Sequence, residues 1–180
     1  MDIIMLRYYF LYLTDRRLWA AMKIISACAA ALGDLADTPQ DAARFFAPHR
    51  SRLARALKTT APAAGGAVAA DDFAARLENF FSGLALHKTA ADPALTQALL
   101  YLQAACAAAP ALLSPPRRAG ALERIRGFCA SGEKTLRLAM TAAQARQDNF
   151  PQNLKFCSIY SGLGAVFDSF EHCAAALYKS

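Results

Sequence analysis

The sequence predicts an all-α protein, a six-helix bundle built from two tandem three-helix repeats. Three observations carry that expectation. Apolar residues recur at helical spacing along nearly the whole chain, and strand-like alternation is almost absent. Stretches rich in Gly, Pro and Asp punctuate the periodic runs at intervals suited to ordinary helices. Segments of the first half also return in the second half, in the same order.

In chain order, the first helix is expected over 3 to 33, ended by Gly33 and Asp34. The second, over 39 to 60, gives way to TTAPAAGG at 59 to 66, and the third occupies 70 to 88. Asp92 and Pro93 are a capping residue and a first-turn proline, so a fourth helix is placed at 93 to 109. SPPRR at 114 to 118 opens a fifth, 118 to 147, and DNFP at 148 to 151 opens a sixth, 151 to 178.

The internal echoes divide these helices into two sets. SACAAALGDL at 26 to 35 returns as AACAAAPALL at 104 to 113, RLARALKTTA at 52 to 61 as KTLRLAMTAA at 134 to 143, and FFSGL at 80 to 84 as IYSGL at 159 to 163. Each pair is separated by about 80 residues, as a duplication with small loop insertions requires. The units are 1–90 and 91–180, and because neither covers its own apolar face, they are expected to pack as one domain.

Composition narrows the partners. The 180 residues are 56% hydrophobic and only 19% charged, with a mean hydropathy of +0.19, which favours a membrane or a large partner surface. Twenty Lys and Arg against fourteen acids give a net charge of +6, suited to an anionic partner. Five cysteines without a C-x-x-C pair indicate neither a disulfide framework nor a zinc knuckle, and no metal or cofactor is expected. Asp2 and Arg7 interrupt the apolar start, so it is not read as a signal peptide. The uncharged stretch Pro93 to Pro116 is long enough to span a bilayer, but its two Gln and Pro110 favour a buried helix.

Two helices are basic and amphipathic. In RSRLARALKT, Leu53, Ala54, Ala56 and Leu57 share one arc, while Arg52, Arg55 and Lys58 occupy the other. Arg50 falls on the apolar side at the helix start, where its stem can snorkel. Around EKTLRLAM, Ile125, Phe128, Cys129, Leu136, Ala139 and Met140 share a face opposite Arg126, Lys134 and Arg137. Such helices suit a membrane interface. The expected membrane-binding residues are Arg50, Arg52, Leu53, Arg55, Leu57, Lys58, Lys134, Leu136, Arg137 and Met140. Four cations at ~1 kcal/mol and two leucines at ~1.5–3 kcal/mol give a gross ~7–10 kcal/mol per helix. Ordering costs reduce this to reversible binding, so two such helices or self-association are required.

Thr14, Asp15, Arg16 and Arg17, the basic residues Arg52, Arg55, Lys58, Lys134 and Arg137, and LKFCSIYSGLGAVFDSFEHC with Tyr160 and Asp168 together resemble the peroxin-11 family. The chain departs from that pattern in having Glu133 before Lys134, and in lacking both Gly-Arg-Asp-Lys after Thr-Asp and a clear carboxy-terminal membrane span. The resemblance implies a non-enzymatic protein on the cytosolic side of the peroxisomal or glycosomal membrane. It also implies membrane elongation before fission, a homo-oligomer, and organelle-division proteins as partners.

Rival functions have thinner signals. Arg44 and His49 match the Arg-x4-His spacing of helical HEPN ribonucleases, in which the pair stabilises and protonates an RNA phosphate. His172 and Cys173 are sequence neighbours, which point about 100° apart on a helix. His87 is explained by its place at a helix end. A soluble cytoplasmic adaptor for protein or nucleic acid is the other alternative. The aromatics Phe80, Phe81, Phe150, Phe156, Tyr160, Phe167 and Phe170 do not interleave with the cations, which argues against a stacking platform for nucleic acid.

Overall fold

The structure is a computed structural model that describes residues 15–37, 51, 65–87, 92–145 and 150–179. Among these it is helical throughout, with five α-helices and no strand. They are α1 (Arg16–Asp37), α2 (Gly65–His87), α3 (Pro93–Ala108), α4 (Arg118–Ala145) and α5 (Phe150–Lys179), with a 3-10 segment at Ala109–Leu113. The expected helix at 39 to 60 lies outside the described residues, so the sixth helix is not observed.

Two helix starts are set by a capping aspartate. Asp15 caps α1, its Oδ1 accepting from the Leu18 amide at 3.0 Å. Asp15, one of the residues of the family resemblance, therefore has a capping role in this fold. Asp92 caps α3 in the same way, accepting from the Leu95 amide at 2.7 Å, with Pro93 in the first turn. Pro110 enters the 3-10 segment that tightens the end of α3. Three boundaries differ from expectation: α1 begins at Arg16, after the non-helical Asp15, inside the run expected over 3 to 33; it continues through Gly33 to Asp37; and α2 begins at Gly65 rather than residue 70.

The helices close into a ring. Each packs on two neighbours, in the order α1, α2, α5, α4, α3 and back to α1. Successive helices α2 and α3 are therefore not ring neighbours. One apolar cluster fills the centre, drawing Met22, Ile25, Phe73, Phe81, Leu102, Ile125, Phe167 and Phe170 from both halves of the chain. The Phe73 and Phe170 rings stand 4.7 Å apart, and Phe80 lies against Gly162, so α2 and α5 run antiparallel. The Gln103 side chain donates to the Ala29 carbonyl at 3.1 Å, joining α3 to α1. Arg118 donates to the carbonyls of Leu112 and Tyr178, at 2.8 and 3.1 Å, and ties the start of α4 to the end of α5.

The stretch Pro93–Leu113 is long and apolar enough to cross a membrane. Here it lies in the ring, with Leu95, Ala98, Leu99, Leu102, Ala105 and Cys106 buried. Two of the three echoed pairs also meet in space. Cys106 is within electrostatic reach of Cys28, and the FFSGL and IYSGL segments face each other across one cleft. The 52–61 segment lies outside the described residues.

Candidate functional site

The polar side of α4 carries the charges that the sequence singles out. Lys134 and Arg137 are exposed, and neither is ion-paired with a described carboxylate. Arg126, one end of the same stripe, is held by Glu123 at 3.2 Å and Glu171 at 3.6 Å. Lys134 and Arg137 thus add unpaired cationic charge to the later half of the helix, as Arg124 does to the first half.

The apolar side of α4 is occupied by the bundle. Leu136 is only 2% exposed and belongs to the core, and Met140 is partly buried against it. Lipid insertion by Leu136 is therefore corrected: its side chain already fills the interior, as an amphipathic stripe does whenever a protein core takes it first. Arg50, Arg52, Leu53, Arg55, Leu57 and Lys58 lie outside the described residues, as do Arg44 and His49.

Apolar surface is instead presented by residues the sequence reading passed over. Leu138 is 64% exposed and lies one turn beyond Lys134 on the polar side of α4. Phe150 and Leu154, at the start of α5, are 73% and 59% exposed. A helical projection of 134 to 141 contains the signal for Leu138, a leucine among cations. Phe150 and Leu154 carry no such signal, because only the packing of α5 decides which of its many apolar residues stay outside.

Three clefts run along α5, one of them, about 320 Å³, between Asp72, Arg76, Asp168 and His172. On the α2 side, Arg76, Asn79, Phe80, Gly83, Ser158 and Gly162 line about 280 Å³. On the α4 side, Glu133, Leu136, Arg137, Met140, Tyr160 and Asp168 line about 310 Å³. Removal from water, followed by the charge of Asp168, raises the Glu133 carboxyl above its ordinary value, and Arg137 opposes that rise. Tyr160, one of the residues carrying the family resemblance, donates its hydroxyl to Asp92, so it braces the α3 cap.

The thiols lie apart from this surface. Cys28, Cys106, Cys129 and Cys173 are buried, and Cys157 is partly exposed. Burial pushes the Cys129 and Cys173 thiols up to about 12, and Cys28 and Cys106 are raised further from the ordinary range. His172 is exposed while Cys173 is sealed, so the neighbours form no nucleophilic pair. Among the described residues, no group of His, Cys, Asp and Glu is arranged to hold a metal ion.

Comparison of the chain with family models, with curated proteins and with solved structures finds no match.

Proposed function

We propose that this chain is a non-enzymatic, membrane-associated protein whose helical bundle docks on an anionic phospholipid surface. The observation that carries this is the exposed side of α4, where Lys134 and Arg137 stand without an ion pair to any described carboxylate around the exposed Leu138. Each cation near such a surface contributes ~1 kcal/mol. One face of this size binds weakly, and a homo-oligomer multiplies it. The pairwise meeting of echoed segments supports a tandem duplication, which would add the basic stretch from Arg50 to Lys58 as a second contact.

The resemblance to the peroxin-11 family extends this to elongation of a peroxisomal or glycosomal membrane, with organelle-division proteins recruited from the cytosolic side. A soluble adaptor is the second reading. It is favoured by the clefts flanking the small residues Ser158, Gly162 and Ala165 of α5, which suit a partner helix.

Co-sedimentation with phosphatidylcholine vesicles, with and without phosphatidylserine and with RNA as competitor, tests the proposal. Binding that requires the anionic lipid, weakens with salt and falls in the Lys134→Glu/Arg137→Glu variant is expected. Binding to RNA in preference to vesicles, or to neither, refutes it.

A further inference from the structure

We propose that the α4–α5 end of the bundle, with Phe150 and Leu154 at its point, is the part that enters the anionic lipid surface. This rests on the membrane association proposed above and assigns it a place. The three most exposed large hydrophobic residues among those described are Phe150, Leu138 and Leu154, and all belong to this one hairpin. Surface apolar residues are ordinary when scattered, but not when the largest collect at one end.

Their arrangement suits shallow entry. Phe150 and Leu154 are four residues apart on α5 and stand one above the other. Four residues advance about 6 Å along a helix, so the two side chains form one continuous apolar patch. Phe156, close by in sequence, is held back by stacking on Tyr160 at 5.9 Å, so the core has claimed it. The bundle thus selects which apolar side chains of this end remain outside.

Charge selects the occupant. Lys134, Arg137 and Lys155 are exposed, and none of the three is ion-paired with a described carboxylate. Arg76 and Arg126, by contrast, are held by acids, Arg76 by Asp72 at 2.8 Å and Arg126 by Glu123 and Glu171. Apolar side chains set in a local excess of positive charge complement a surface that is anionic outside and oily beneath. The α4 face cannot fill that role by itself, because its own apolar stripe is spent on the core.

The test uses the full chain and vesicles of phosphatidylcholine with phosphatidylserine. Phe150→Asp/Leu154→Asp alters only exposed positions, so helical circular dichroism and the melting temperature should be preserved. Its partition to vesicles should be at least about tenfold weaker. Val68→Asp, at a 49% exposed site in the first turn of α2, should partition like the parent. Phe150→Trp should show a blue shift with vesicles and quenching by brominated acyl chains. If the parent binds and the double variant binds equally, this end is not the point of entry, while membrane association stands. If the parent does not bind these vesicles, both proposals fall. If the double variant instead abolishes a dimer seen by sedimentation and leaves lipid binding unchanged, a second copy is the occupant and the proposal is overturned.

Discussion

Gly132 of α4 packs so tightly on Phe167 of α5 that a Cβ built on the glycine would lie 2.2 Å from the ring Cζ. Phe167 is fully buried, so its ring cannot swing clear without displacing the centre of the core. In an open helix, Gly→Ala stabilises by ~0.8–1 kcal/mol. Here Gly132→Ala is expected to destabilise the fold by ~1–3 kcal/mol, because overpacking outweighs propensity. Urea denaturation measures it. Adding Phe167→Leu should recover part of the loss, and strictly additive effects would show that this contact is not the cause.

Asp92 holds two elements at once. One carboxylate oxygen caps α3 at 2.7 Å from the Leu95 amide, and the other accepts the Tyr160 hydroxyl from α5. Asp92→Ala should cost ~0.5–2 kcal/mol for the cap alone, and more because a buried hydroxyl loses an acceptor. Tyr160→Phe removes only the bond between helices and should cost ~0.5–1.5 kcal/mol. Equilibrium unfolding of both variants checks the order. A larger loss for Tyr160→Phe than for Asp92→Ala would reverse it.

How much of this was legible in the sequence depended on the kind of signal. Helices α3, α4 and α5 begin within a residue of expectation, because Pro93, the pair Pro115 and Pro116, and Pro151 mark their starts in local chemistry. Gly33 and Gly65 misled for a shared reason. Gly is only a weak stop, costing ~1 kcal/mol inside a helix, and the burial of Leu32 just before the one and of Ala67 just beyond the other offsets it. The ring order was not legible, since periodicity states which face is apolar and not which neighbour covers it. The same ambiguity governs Leu136, whose stripe served core and lipid equally well on paper. The Asp92 and Tyr160 contact joins residues 68 apart, and no local pattern announces it.

Thiol reactivity reports on the core directly. The thiolate is the reactive species, and burial holds Cys28, Cys106, Cys129 and Cys173 protonated at neutral pH. An aromatic disulfide reagent should therefore label one of the five cysteines rapidly in the native chain, and all five in denaturant. Cys157→Ser should abolish the rapid phase. Two or more rapid thiols would mean that the ring opens under native conditions. Raised thiol pKa values also mean that the native state binds protons which the unfolded chain has released above the ordinary thiol range. Stability should fall as pH climbs through that range.

Glu133 gives the fold a second pH dependence on the acid side of neutrality. Its carboxyl is raised chiefly by partial removal from water, then by Asp168, with Arg137 pulling the other way. A raised folded-state value means that the native chain keeps this proton where the unfolded chain has lost it. The favourable contribution is complete below the ordinary glutamate range and is lost as pH rises through the folded-state value. Glu133→Gln removes that ionisation. The variant should match the parent in melting temperature at the acid end and exceed it increasingly towards neutral pH. Arg137→Gln, which takes away the opposing charge, should steepen the decline of the parent. A gap between Glu133→Gln and the parent that stays constant across this pH range would show that the fold does not strain this carboxylate.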